Sequence, residues 1–142
     1  MEKYSAPNDG AVINNLNGSY LYWAKNQLIE LHKHLHSLKQ SDLRDAENIR
    51  TEILNHIQNF TGLSRSFGYY LMTDIADSLN KYIRSVEDFS NVYPDIIASH
   101  FNAMDFIIHY NIEGYGGERG NKIIAQLQEK LQKSTPRVLY NP

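Results

Sequence analysis

The sequence of 142 residues contains no cysteine. This absence excludes disulfide frameworks, cysteine-containing zinc sites and thiol catalysis, and it fits a reducing compartment. Long apolar runs are also lacking, since none approaches the roughly 20 residues that a helix needs to cross a bilayer. The N-terminus, with Glu2 and Asp9, has no basic segment followed by an apolar one. We therefore expect a soluble, cytoplasmic protein that has no membrane partner.

A large excess of charge of either sign is absent as well. The formal net charge is −2 at pH 7, from 14 basic and 16 acidic residues. Such a balance gives no strong electrostatic preference for nucleic acid or an anionic membrane, so we expect no nucleic-acid partner. The chain is nevertheless long enough to bury the core of one domain without a metal or a disulfide.

Helical periodicity is the dominant positive signal, and no segment shows the strict alternation of a half-buried strand. Ser19 and either Ser41 or Asp42 are candidate N-caps for the first two helices. Pro94 is suited to the first turn of the fourth helix. A fifth helix is predicted from about Glu118 to Lys133. The inward stripes of these helices are Leu21, Ala24, Leu28, Leu31, Leu35 and Leu38; Leu43, Ala46, Ile49, Ile53, Ile57 and Phe60; Leu71, Ile75, Leu79, Tyr82, Ile83 and Val86; Ile97, Phe101, Met104 and Ile108; and Ile124, Leu127 and Leu131.

These stripes predict an all-α protein, namely an antiparallel four-helix bundle with one additional helix. Residues 1–18 are rich in asparagine and glycine and are predicted to form an irregular arm. The bundle is expected over residues 19–134, and residues 135–142 form a tail. Gly62 and Gly68 bracket a segment where the second helix ends, bends or continues, and the sequence leaves these alternatives open.

The chemical candidates are weak. His32 and His36 have the i, i+4 spacing that could place two imidazoles on one metal, but no carboxylate partner is evident and His34 projects elsewhere. We expect His56, His100 and His109 to be boundary or core residues with hydrogen-bond partners. The glycine cluster GYGGERGNK lacks the Lys-Ser/Thr pair of a phosphate-binding loop and is predicted to connect two helices. The sequence thus gives no reason to expect an enzyme, a cofactor or a metal.

The segment FTGLSRSFGYYLMTDIADSL resembles the histidine-containing phosphotransfer domain, and particularly divergent bacterial versions of it. In that family a phosphoaccepting histidine stands four residues before a glycine, with lysine usually next to that glycine, small residues after it and then a second glycine. Gly62, Ser64, Ser66, Phe67 and Gly68 match the later part of the motif. The resemblance covers roughly residues 43–86, and it implies a four-helix carrier of a two-component phosphorelay.

The departure from that motif is chemical. Gln58 stands where the family has its phosphoaccepting histidine, and Thr61 stands where it has lysine. A glutamine amide is not a nucleophile that forms a phosphoramidate as imidazole does. Since each residue turns about 100° around a helix, Leu54, Gln58, Thr61 and Arg65 form a row off the buried stripe. The expected partner-binding surface comprises Leu54, Gln58, Thr61, Gly62, Arg65, Ser66 and Gly68.

The resemblance therefore implies a pseudo-phosphotransfer protein that binds a receiver domain or a histidine kinase without carrying phosphate. One alternative is an active carrier that uses His100 or His56 as its phosphoacceptor. His56 projects about 200° away from Gln58, so a partner docked over Gln58 would not meet it. Another alternative is a purely structural or oligomerisation domain, and a metal-binding module through His32 and His36 comes last.

Overall fold

The computed structural model describes the backbone of residues 9–134 and the side chains of residues 17–42 and 44–134. The tail predicted over residues 135–142 lies outside the described residues. Within them there are five α-helices and no strand, which confirms the all-α prediction. The helices are Asp9–Lys39 (α1), Leu43–Ser66 (α2), Tyr70–Ser85 (α3), Pro94–Tyr110 (α4) and Gly117–Ser134 (α5), with a short 3-10 turn at Phe89–Asn91 between α3 and α4.

Helix α1 begins earlier than expected. It starts at Asp9, so residues 9–18, which we predicted to be part of an irregular arm, are helical, whereas residues 1–8 lie outside the described residues. Ser19 therefore lies inside the helix and is not its N-cap. The physical reason is that asparagine and glycine each lower helix stability by only about 0.5–1 kcal/mol relative to alanine. A long helix tolerates several such residues.

Helix α2 begins and ends at well-defined signals. Asp42 is its N-cap, because the Asp42 Oδ1 accepts a hydrogen bond of 2.9 Å from the backbone N–H of Asp45. The helix continues through Gly62 and ends at Ser66, just before Gly68, whose φ is +84°. Of the alternatives that the sequence left open, the structure shows continuation past the first glycine and termination before the second.

The hydrophobic core lies where the predicted stripes meet. The central residues of each stripe are buried, while Leu21, Ile49, Tyr82, Val86, Ile108 and Ile124 are half-buried at its edge. Full burial of a leucine or isoleucine side chain stabilises the fold by roughly 1.5–3 kcal/mol. The buried stripe residues are Ala24, Leu28, Leu31, Leu35, Leu38, Ala46, Ile53, Ile57, Phe60, Leu71, Ile75, Leu79, Ile83, Ile97, Phe101, Met104 and Leu127.

Helices α1 to α4 pack around this core in a ring. Helix α1 contacts α2 and α4, and α3 also contacts α2 and α4. Helix α5 packs outside the ring against α3 and α4, and its buried residues are Gly120 and Leu127. In the described part of the chain, no helix is long and apolar enough to cross a membrane.

The glycine-rich segment connects α4 to α5, as predicted. Helix α4 ends before the cluster, because Asn111 takes a left-handed conformation with φ of 50°. The Gly114 N–H then donates a hydrogen bond of 2.7 Å to the Gly68 carbonyl, and the Leu71 N–H donates one of 2.8 Å to the Gly114 carbonyl. These two bonds join the α4–α5 connector to the junction between α2 and α3. A side chain at Gly120 would collide with the Tyr115 carbonyl, so the packing there requires glycine.

Candidate docking surface on helix α2

The row predicted on α2 lies on the outside of the bundle. We call it the Gln58 face and define it as Leu54, Gln58, Thr61, Gly62, Arg65 and Ser66. Gln58, Gly62, Arg65 and Ser66 are exposed, whereas Leu54 and Thr61 are half-buried. The structure thus brings six of the seven predicted surface residues together on consecutive turns of one helix.

The hydroxyl groups of this face are used within the helix. The Thr61 Oγ1 donates to the Gln58 carbonyl at 2.8 Å, and the Ser66 Oγ donates to the Gly62 carbonyl at 3.2 Å. These side chains therefore lie against the helix. Among the described residues, the Gln58 amide and the Arg65 guanidinium have no side-chain partner. The two long polar groups of the face are available to another molecule.

Gly62 leaves the centre of the Gln58 face without a projecting side chain. A Cβ atom added at Gly62 would meet no atom within 4 Å, so the position is open to solvent. Beside it lies a depression of about 390 Å³ lined by Trp23, Gln58, Asn59, Gly62 and Leu63. Trp23 belongs to α1 and is half-buried, and the centroid of its ring lies 5.0 Å from that of Phe60.

Sequence reasoning did not connect Trp23 with this surface. Two features of the sequence could have drawn attention to Trp23. It is the only tryptophan in the sequence, and it stands beside the buried stripe of α1. Tryptophan offers a large apolar surface together with one hydrogen-bond donor, and it is enriched at the energetically important points of interfaces.

Gly68 and Ser64 have structural roles. Gly68, which we predicted to belong to the partner-binding surface, is half-buried in the turn between α2 and α3 and has a positive φ. Ser64, one of the small residues of the motif, is fully buried, and its Oγ lies 2.6 Å from the Tyr20 Oη. Tyr20 in turn stacks on Tyr69 at 4.5 Å between ring centroids. Ser64 therefore contributes to the packing of the core, and Gly68 to the turn between α2 and α3.

His56 faces helix α1, away from the Gln58 face. Its Nδ1 lies 2.6 Å from the Gln27 Oε1, and its ring centroid lies 5.5 Å from that of His34. Partial burial lowers the pKa of His56, and His34 lowers it further, while the nearby carboxylates of Glu52 and Glu30 raise it. His56 thus has a hydrogen-bond partner at the edge of the bundle, as predicted.

His100 is a core residue of α4, and only 1% of its surface is exposed. Its Nδ1 donates to the Ile96 carbonyl at 2.8 Å, which leaves its Nε2 as the acceptor for the Ser78 hydroxyl at 3.0 Å. Burial lowers the pKa of His100, against a smaller raising effect of the bond to Ile96. Both nitrogens of this neutral imidazole are therefore engaged, which confirms the prediction of a satisfied core histidine.

His32 and His109 differ from what the sequence alone indicated. The His32 Nε2 lies 2.7 Å from the Asp105 Oδ2 of α4, a carboxylate partner that was not evident from the sequence. Two residues 73 positions apart in sequence form this pair, and no local pattern indicates it. His36 and His109 are exposed, so His109 is not a core residue.

One cluster of potential metal ligands lies between α1 and α2. His34, Glu52 and His56 each offer one ligand atom, and these three atoms lie within 4.8 Å of one another. We predicted only that His34 points away from His32 and His36. A repeated spacing in the sequence could have indicated this cluster. Glu30 and His34 are four residues apart on α1, and Glu52 and His56 are four residues apart on α2.

Comparisons with protein-family models, with curated proteins and with solved structures found no match to this chain.

Proposed function

We propose that this chain is a non-catalytic, phosphotransfer-like signalling module whose Gln58 face binds a receiver domain or a histidine kinase of a bacterial two-component system. The observation that carries the proposal is the position of Gln58. It is exposed on a helix of a four-helix ring, four residues before an open glycine, where the resembled family has its phosphoaccepting histidine. Such a module would work in the cytoplasm.

We further infer that the four helices of the ring run antiparallel, as the resemblance implies. Hydrogen-bonded pairs support this orientation, because the residue number on one helix rises as that of its partner falls. For α1 and α2 the pairs are Tyr20 with Ser64 and Gln27 with His56. For α3 and α4 they are Ser78 with His100 within the helices, and Tyr69 with Asn111 at the residues that flank the start of α3 and the end of α4.

The chemistry of the face favours binding over phosphoryl transfer. The Gln58 amide donates and accepts hydrogen bonds but does not attack phosphorus, because its nitrogen lone pair is delocalised. Gly62 adds no side chain, so a partner helix or loop can approach the α2 backbone closely. Arg65 supplies a permanent positive charge at one end of the face, suited to an acidic partner surface.

The geometry disfavours the two alternative phosphoacceptors. His100 is 1% exposed and both of its ring nitrogens have partners, so phosphorylation would require the core to open. His56 lies on the side of α2 that faces α1, where its Nδ1 bonds to Gln27. A receiver docked on the Gln58 face would reach neither imidazole.

A binding experiment tests this proposal. Purified receiver domains and kinases from the same genome are titrated against the wild type and against Gly62→Arg, which fills the open centre of the face. Lys130→Glu, at an exposed position of α5, is the matched control. We expect binding of at least one receiver or kinase, at least tenfold weaker for Gly62→Arg and within twofold of the wild type for the control.

The double variant Gln58→Glu with Arg65→Glu separates docking from a purely structural or oligomerisation role. If the protein only holds itself or an assembly together through other surfaces, this variant leaves every association unchanged. If the Gln58 face is the docking surface, the variant loses the receiver or kinase but keeps its helical circular dichroism signal. Failure of every receiver and kinase to bind the wild type would overturn the proposal.

A further inference from the structure

The cluster of His34, Glu52 and His56 has the composition of a transition-metal site. Two imidazole nitrogens and one carboxylate oxygen converge from two helices, with the three ligand atoms within 4.8 Å of one another. The two histidine rings lie 5.5 Å apart between centroids. Two histidines and one carboxylate are a ligand set that binds zinc in known enzymes, in which water fills the fourth position.

The hydrogen bond to Gln27 prepares His56 for such a role. The His56 Nδ1 lies 2.6 Å from the Gln27 Oε1, an atom that only accepts hydrogen bonds. The Nδ1 must therefore carry the ring proton, which leaves the Nε2 lone pair of the neutral imidazole available as a ligand. Metal-binding histidines are commonly fixed in this way, by donating their other N–H to a carbonyl or carboxylate oxygen.

Glu30 offers a fourth group next to this cluster. It stands four residues before His34 on α1, and its charge acts on His56 across the interface. Its carboxylate also pairs with Lys33 at 3.3 Å, in a contact that is largely exposed. An exposed ion pair of this kind contributes at most about 1 kcal/mol, so Glu30 is easily redirected.

We propose that His34, Glu52 and His56 bind one divalent transition-metal ion, with Zn²⁺ the expected ion and Glu30 or water in the fourth position. Ligands on tetrahedral zinc lie roughly 3.3 Å apart, given metal–nitrogen bonds of about 2.0–2.1 Å. A rotation of the exposed Glu52 side chain, with small adjustments of the imidazoles, would shorten the separations between the ligand atoms, which now reach up to 4.8 Å, to this value. Imidazole ligands favour zinc over magnesium or calcium, which prefer sites made of oxygen atoms.

The position of the cluster predicts that a bound metal ion stabilises the fold. The ligands come from α1 and α2, so a bound ion would hold these two helices together and stabilise the folded state by mass action. His56 projects about 200° around α2 from Gln58, so the ion would bind away from the Gln58 face. The metal site and the docking proposal can therefore succeed or fail independently.

The test uses the full chain without an affinity tag, freed of metal with a chelator and then titrated with ZnCl₂ by calorimetry. We expect one Zn²⁺ per chain and a rise in the melting temperature. His34→Ala and His56→Ala should each weaken binding at least tenfold. His36→Ala, an exposed histidine on the same helix as His34, is the matched control and should leave the affinity within twofold.

Two further measurements define the geometry. Co²⁺ in place of Zn²⁺ should give the intense visible absorption of a tetrahedral site, and this absorption should be lost in His56→Ala. Gln27→Leu should weaken Zn²⁺ binding about tenfold, and Gln27→Glu, which keeps an oxygen acceptor, should restore it. Circular dichroism of the metal-free variants checks that each remains folded.

Three results would overturn the proposal. The first is no binding up to about 100 µM Zn²⁺. The second is unchanged affinity in His34→Ala or His56→Ala. The third is an equal loss of affinity in His36→Ala, which would place the ion on the exposed histidines of α1.

Discussion

Two glycines within helices should respond to alanine in opposite ways. Gly62 lies inside α2, and a Cβ atom there would meet nothing within 4 Å. Alanine is favoured over glycine in a helix interior by about 0.5–1 kcal/mol, so Gly62→Ala should raise the free energy of unfolding by that amount. Urea denaturation followed by circular dichroism measures it, and the melting temperature should rise by about 3 °C.

Gly120→Ala is the matched comparison in α5. Its added methyl group would collide with the Tyr115 carbonyl and approach the Leu71 side chain at 3.3 Å. Because a backbone carbonyl in a tight connector cannot move freely, we expect this variant to lose about 3 kcal/mol of stability. Equal effects of the two substitutions, or destabilisation by Gly62→Ala, would refute the description of Gly62 as an open position on the surface.

Three further predictions concern the packing of the bundle. Arg50→Lys should lower the free energy of unfolding by about 1–2 kcal/mol in urea denaturation, because the Arg50 guanidinium donates to three carbonyls at the end of α3 and a lysine cannot span them; unchanged stability would show that these bonds contribute nothing. Burial raises the pKa of Tyr20 from 10.0 to about 12, so the contribution of Tyr20 to the free energy of unfolding should be constant below pH 10 and fall by roughly 2–3 kcal/mol toward pH 12. Tyr20→Phe should remove that part of the alkaline loss but cost about 1–2 kcal/mol at neutral pH, because the buried Ser64 hydroxyl loses its partner; an equally steep alkaline loss in the variant would assign it to other tyrosines. Burial lowers the pKa of His100, so the unfolded state binds its proton more readily and stability should fall below the ordinary histidine pKa of about 6.5. In His100→Gln, the free energy of unfolding in urea denaturation should differ less between pH 7.5 and pH 5 than it does in the wild type. An equal difference in both proteins would show that His100 does not cause the loss of stability at low pH.

Much of the fold follows from local patterns in the sequence. The helical stripes, the Asp42 cap and the start of α4 at Pro94 each depend on neighbouring residues, and the structure confirms them. The start of α1 was missed because residues that disfavour helix formation do so only weakly. Exposure of Gln58 also followed from helical spacing alone, since its position relative to Ile53 and Ile57 places it off the core.

Contacts between helices could not be predicted in the same way. The pairing of His32 with Asp105, and the meeting of His34 with Glu52 and His56, depend on how whole helices pack together. Ser64 illustrates the same limit within one motif, because the family pattern counts it as a small residue near the site while the structure buries it against Tyr20. Spacing shows which residues share a helix face, but only packing shows what lies opposite them.

The most direct test of the central proposal compares phosphorylation of the wild type with that of Gln58→His. Both proteins are incubated with phosphorylated receivers and active kinases from the same genome, and acid-labile phosphate is mapped by peptide analysis under conditions that preserve phosphohistidine. We expect the wild type to bind a receiver or kinase yet carry no phosphate, and Gln58→His to gain phosphate at position 58. Stoichiometric phosphohistidine in the wild type, at His56, His100 or elsewhere, would contradict the account.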